Sequence, residues 1–219
     1  MQEDIVQALE RQEVLPEYLE VNFNSEEESG SSTPPMPQVD LLLAPPSLDV
    51  LKRLLPQVTQ LGVGTVVLCK AFGADKRLFG THLMKQPSRL REYLIQGLTQ
   101  SGDTHLPRLV LAPRLKSFLL EGELQELFPD RPVQDGGLAC GHPGCLRLIA
   151  AKDGLRPFEL ERPFRDDRAG TPRVLVAVGP EGCWGEADTA LLKEAGFRAL
   201  GLGPRSMSHE VQTLSALAL

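Results

Sequence analysis

This chain of 219 residues lacks any run of 18 or more apolar residues, so no transmembrane helix is expected from it. Its first twenty residues, MQEDIVQALERQEVLPEYLE, have neither the basic end and apolar core of a secretory signal nor the arginine-rich character of a transit peptide. The expected location is cytoplasmic, with no membrane partner. Only four cysteines occur, Cys69, Cys140, Cys145 and Cys183, too few and too scattered for a disulfide framework. No internal repeat is visible, no G-x-S-x-G elbow offers a serine nucleophile, and no H-x-E of the zinc deaminases occurs. Cys140, His142 and Cys145 form C-x-H-x-x-C, but no fourth ligand lies at a recognisable spacing, so no metal is expected.

The hydrophobic share, 42%, is that of a globular chain, and the length suits one domain plus an appendage. The net charge of -6 is unevenly divided. Residues 1–29 carry nine acids and one base, a net of -8, which leaves 20 acids and 22 bases, a net of +2, for the rest. The acidity belongs to the leader, and the body is compatible with a nucleic-acid partner. Residues 5–15 have the pattern of a short helix. Residues 24–38, NSEEESGSSTPPMPQ, have the composition of a disordered linker. We therefore divide the chain into an acidic, partly disordered leader and linker, 1–38, and a domain, 39–219.

From Val39 onward short apolar runs alternate with amphipathic segments. Strands are predicted at 39–44, 65–70, 109–112, 138–140, 174–178 and 199–202, with further extended chain at 146–150. Helices are predicted at 48–61, stopped by Gly62, and at 87–99 and 115–128. A last helix is predicted over 210–219, with Val211, Leu214, Leu217 and Ala218 on its buried side. Residues 158–172, rich in charge, read as a loop. This alternation specifies an α/β fold, a mainly parallel sheet with helices on both faces.

The stretch 174–205 organises the rest. Two strands each end in a glycine-proline turn, Gly179-Pro180-Glu181-Gly182 and Gly201-Leu202-Gly203-Pro204-Arg205, with an amphipathic helix between them. Such turns let a ligand approach bare backbone. The glycines follow G-x-x-G-x-x-G rather than the dinucleotide fingerprint, and no P-loop lysine follows them. Glu181 occupies the position where a pyrophosphate would sit and would repel it. A neutral or cationic ligand, such as an adenosine bearing a sulfonium, fits better. His209 and Glu210 are adjacent, but neighbours on a helix point about 100° apart and rarely act as an acid-base pair.

These turns, with Trp184, Glu194-Ala195-Gly196-Phe197 and the downstream Glu210, closely resemble the C-terminal signature of bacterial ribosomal RNA methyltransferases that act on N3 of a uridine in small-subunit rRNA. That family belongs to the SPOUT class, whose α/β domain carries a deep trefoil knot that binds S-adenosylmethionine. Gln60-Leu61-Gly62-Val63 and Gln100-Ser101-Gly102 with Pro107 resemble further family motifs. The resemblance covers about residues 39–219 and is most specific at the C-terminal end.

It implies that the turns at 140–144, 179–182 and 201–205 form the three knot loops. Cys140, Gly141, His142, Gly179, Pro180, Glu181, Gly182, Leu202 and Gly203 would bind the cofactor. It also implies a homodimer and an RNA substrate, expected to be small-subunit rRNA. Arg205 becomes the candidate for gripping RNA or the cofactor carboxylate, and Glu210 the candidate for positioning or proton transfer at N3. The sequence departs from the family at Gln57, Gln60, Gln100 and Cys183, and Ser208 stands where the family has an arginine. Residues 1–38 do not resemble the family's N-terminal RNA-binding β-barrel. The alternative reading is a catalytically impaired SPOUT-fold dimer that serves as an RNA- or protein-binding module.

Overall fold

A computed structural model describes residues 19–21, 39–71, 78–128, 145–159, 173–180 and 184–219. The strands are β1 (Leu19–Val21), β2 (Val39–Leu43), β3 (Thr65–Cys69), β4 (Arg108–Ala112), β5 (Cys145–Ala151), β6 (Arg173–Val178) and β7 (Arg198–Gly201). The helices are α1 (Leu48–Gln60), α2 (Pro87–Ser101), α3 (Leu115–Leu120), α4 (Glu123–Leu127), α5 (Glu186–Glu194) and α6 (His209–Leu217).

The strands form one sheet in the order β1-β4-β3-β2-β6-β5-β7. All neighbouring pairs are parallel except β1 with β4, where Leu19 opposes Leu111 and Val21 opposes Leu109. The mainly parallel α/β sheet is the one expected. Leu19–Val21, within the acidic leader, extends it at one edge.

Strands buried on both faces read as continuous apolar runs, and β3, TVVLC, is buried at every position. Alternate residues feed opposite cores. Leu42, Val67, Val110 and Leu175 pack with Phe118, Phe128, Trp184 and Leu192 on the side of α3, α4 and α5. Leu41, Leu43, Val66 and Val176 pack with Leu51, Leu54, Leu90 and Leu94 on the side of α1 and α2, and Ala216 of α6 joins this second core.

Two elements differ from expectation. The single helix expected over 115–128 is two, because Gly122 takes φ 106° and turns the chain between α3 and α4. In α6 the buried face is His209, Gln212, Thr213 and Ala216, while Val211 is 50% exposed and Ala218 is exposed. Leu214 and Leu217 do pack against the second core. The reason is chemical. His209 Nε2 lies 3.0 Å from the Ala44 carbonyl oxygen, and Gln212 Nε2 lies 3.4 Å from that of Ala150. Buried polar side chains serve the ends of β2 and β5, which an apolar period does not reveal. The leader helix, the linker, the strand at 138–140 and the loop at 160–172 lie outside the described residues.

Candidate functional site

The six parallel strands end at one edge of the sheet. From β2 the chain steps to β3 and β4 on one side, whereas β6 flanks β2 on the other. The direction of winding therefore reverses between β2 and β6, and a crevice opens beyond their C-terminal ends. Gly179 and Pro180 follow β6 there. Ala44, directly after β2, donates its N–H to the Val178 carbonyl at 2.9 Å and closes the crevice floor.

The second turn follows β7, on the far side of β5 and about 10 Å from the first at ordinary strand spacing. Leu202 N–H donates to the Ala151 carbonyl at 2.9 Å, and Gly203 N–H to that of Lys152 at 3.3 Å. With both N–H groups engaged inside the chain, a backbone contact from these two residues to a ligand would come from a carbonyl oxygen, which suits the amino group of an adenine and repels a phosphate. Gly203 holds φ 106°, a conformation side chains rarely adopt. Beneath the turn, Leu155 N–H meets the Ala199 carbonyl at 3.0 Å and Gly201 N–H meets the Leu155 carbonyl at 2.8 Å. The two backbones approach so closely that a Cβ on Gly154 would lie 2.6 Å from the Ala199 oxygen.

The third component is the start of α6. Ser208 is its N-cap, and its hydroxyl accepts from the Val211 N–H at 3.4 Å. Burial holds the His209 imidazole below its ordinary pKa, against the opposing pull of the Ala44 carbonyl and of Glu210. With Nε2 donating to Ala44, the neutral ring is the tautomer that fits. Glu210 points elsewhere, to Arg53 on α1, whose Nε and Nη2 meet the two carboxylate oxygens at 3.0 and 3.3 Å. His209 and Glu210 are thus not an acid-base pair. The Arg53 partnership has no local sequence signal, because 157 positions separate the two residues.

Residues 33–219 match the model of the RNA methyltransferase domain family. The chain belongs to that family. It is 24% identical over 169 residues to ribosomal RNA small subunit methyltransferase E of Treponema pallidum, a match covering 77% of this chain and 56% of that protein. The chain thus spans little more than half the length of that relative. The same fold appears in the Neisseria gonorrhoeae ribosomal RNA small subunit methyltransferase E bound to S-adenosylmethionine, with a TM-score of 0.61, 24% identity, and coverage of 84% of this chain and 65% of that one. A Legionella pneumophila protein solved with bound S-adenosylmethionine matches with a TM-score of 0.60 at 18% identity, over 83% of this chain and 65% of that one.

In this RNA methyltransferase domain, Gly179, Pro180, Leu202, Gly203, Arg205 and Glu210 all stand at the C-terminal edge. Arg205 is exposed. Cys140, Gly141, His142, Glu181 and Gly182 lie outside the described residues. The edge carries a further signal that sequence reading missed. The helix after the first turn, α5, opens with Glu186 and Asp188, and Asp188 is buried. Burial pushes the Cys69 thiol at the end of β3 upward, and the Asp188 charge adds to the shift. A helix N-terminus that ordinarily attracts phosphate is here already supplied with carboxylates. The residues present therefore fit a cationic, adenine-bearing ligand and do not fit a pyrophosphate.

Proposed function

We propose that this chain is an S-adenosylmethionine-dependent RNA methyltransferase acting on N3 of a uridine in small-subunit rRNA. The observation that carries the reading is the pair of turns flanking β5. One follows the β2–β6 switch point, the other has its Leu202 and Gly203 N–H groups already bonded, and the neighbouring helix start is acidic. When bound, the cofactor supplies an electrophilic methyl group on a sulfonium. Transfer forms the N3–methyl bond, breaks the sulfur–methyl bond to leave a neutral thioether, and releases the N3 proton. The protein's part is alignment and acceptance of that proton. The 179–182 and 201–205 turns would hold the adenosine as two of three knot loops, the third at 140–144. Arg205, exposed at the mouth, would grip RNA phosphate or the cofactor carboxylate. A homodimer in the cytoplasm completes the reading, and sedimentation velocity would measure the dimer.

Titration calorimetry with S-adenosylhomocysteine is expected to give saturable one-site binding; no heat at millimolar ligand would sink the reading. Given binding, transfer of tritiated methyl to total rRNA separates an enzyme from an impaired binding module, the reading that Ser208 favours by capping α6 where the family has an arginine.

Glu210 is our candidate for positioning N3 or receiving its proton. Its carboxylate is held bidentately by Arg53, so a change to glutamine keeps the shape and removes the charge. Glu210→Gln is expected to lower methyl transfer on the order of 10²-fold, the scale of a lost general base. Affinity for S-adenosylhomocysteine should stay within about twofold, since alignment and not cofactor binding is lost. Unchanged transfer would show that Glu210 only ties α6 to α1.

A further inference from the structure

We propose that the β3–β4 half of the C-terminal edge is the seat of the RNA backbone, with Lys70, Lys85, Arg89 and Lys116 each facing a phosphate. The proposal rests on the RNA reading above and adds to it where the polymer lies. The turns that flank β5 lack side-chain cations apart from Arg205 and, on the loop beyond β5, Lys152 and Arg156, which alternate with Asp153 and Glu159. The other half of the edge is different.

Lys70 follows β3 directly, and its backbone N–H bonds the Ala112 carbonyl at the end of β4 at 3.2 Å. Arg114 and Lys116 come two and four residues after Ala112, at the start of α3. Adjacent strand ends are about 5 Å apart, so these three residues share one corner. The helix joining β3 to β4, α2, must run against the strands, which puts its N-terminus at this same edge. Lys85 lies two residues before α2, and Arg89 in its first turn. The helices lie on opposite faces of the sheet, α2 with the second core and α3 with the first. The cations therefore form a strip across the sheet edge, from one helical layer to the other.

Lys85 and Arg89 are exposed and Lys70 is half-buried. Lys70, Lys85, Arg89 and Lys116 have no side-chain hydrogen bond or ion pair among the described residues. The acids nearby are largely committed. Asp49 pairs with Lys52 at 3.5 Å and Glu210 with Arg53, which leaves Glu92 on the second turn of α2 and, on the side of the first core, Glu186 and Asp188 at the start of α5, the latter near enough to Cys69 for its charge to act on the thiol. A chain of net charge -6 thus concentrates unneutralised cations at one corner. That corner lies beside the methyl-transfer site, because β3 and β6 are separated by β2 alone, about 10 Å. A polyanion laid along the strip would bring the next nucleotides over the β2–β6 crevice. This is the division of labour general to such complexes, in which phosphate contacts fix register while the reacting base is held elsewhere.

The test uses the full chain and a fluorescently labelled single-stranded RNA of 20 nucleotides, with anisotropy followed from 50 to 300 mM NaCl. The quadruple variant Lys70→Gln, Lys85→Gln, Arg89→Gln, Lys116→Gln is expected to bind RNA more weakly. Its slope of log affinity against log salt should flatten by roughly 3, at about 0.7 for each phosphate of a single strand that is no longer neutralised. Lys193→Gln, on the last turn of α5 at the opposite edge, should leave the slope unchanged. Calorimetry with S-adenosylhomocysteine should give the same affinity for parent and quadruple variant, showing that the variant is folded. A quadruple variant with the parent's slope would overturn the proposal and leave the RNA reading standing. A parent with no RNA affinity at 50 mM salt would overturn both. Poly-L-glutamate of equal charge binding as tightly as RNA would also overturn the proposal, since the strip would then be a dock for acidic protein.

Discussion

Replacing Arg173 with leucine is expected to cost about 3–5 kcal/mol of folding stability, the scale of removing one partner from a buried ion pair. Arg173 opens β6 and reaches across to Asp40 of β2, which is fully buried. Its Nε donates to one carboxylate oxygen and its Nη2 to the other at 2.8 Å, and Nη2 also reaches the Thr65 hydroxyl at 3.2 Å. The Phe128 ring lies 5.3 Å from the guanidinium carbon and covers one side of a side chain that is 28% exposed. Burial raises the Asp40 pKa even so, with the Arg173 hydrogen bond and charge and the Thr65 contacts opposing the rise. A folded-state pKa above the unfolded one means that the native chain binds more protons. The associated stability is therefore complete at low pH and is lost as pH rises through the folded pKa. Without Arg173 that folded pKa moves higher, and the loss extends to higher pH. Urea unfolding of Arg173→Leu should thus show a larger deficit at pH 7.5 than at pH 5. Adding Asp40→Leu should restore most of the stability, because no buried charge then remains unpaired. Equal deficits at the two pH values, or a double variant as unstable as the single one, would contradict this account.

Asp40 and Arg173 also mark where sequence reading stops. Local periodicity exposed nearly every strand and helix in the described residues, because runs such as TVVLC and VLVAV have few alternatives once both faces are covered. It could not show that a charged residue inside the apolar run DLLL meets another 133 positions away. The same holds for Glu210 and Arg53. The candidate site divides in the same way. The glycine-proline turns were legible as turns from their glycines and prolines, and the structure brings Gly179 and Gly203 to one edge. The buried face of α6 was not legible, since His209, Gln212 and Thr213 are polar residues buried for the carbonyls they reach or the helix backbone they join. The split at Gly122 was hidden for a related reason. The residues on either side keep a helical apolar period, and the φ of a single glycine decides whether the axis continues. Leu19–Val21, inside a segment whose charge dominates its composition, gave no periodic signal at three residues.

The other large effect is expected from one added methyl group. Gly154→Ala would place a Cβ 2.6 Å from the Ala199 carbonyl oxygen and 2.8 Å from its carbon, both backbone atoms that cannot rotate away. The loop after β5 and strand β7 must then separate, and overpacking of this kind costs about 1–3 kcal/mol. The stability loss is the smaller consequence. The bonds joining Leu155 to Ala199 and Gly201 hold up the turn that carries Leu202 and Gly203, so separation moves that turn relative to Gly179 across β5. A displacement of about 1 Å in an alignment-driven reaction costs about 10²-fold in rate. Gly154→Ala is therefore expected to lose about two orders of magnitude of methyl transfer and to bind S-adenosylhomocysteine measurably more weakly. The cores between β2, β3 and β4, remote from the change, should keep the protein folded. Gly80→Ala is the matching control, because a Cβ there meets nothing within 4 Å. Should Gly154→Ala bind S-adenosylhomocysteine as tightly as the parent while melting several degrees lower, the β7 turn would be a structural closure only. The cofactor would then have to be held by the β6 turn and by residues outside those described.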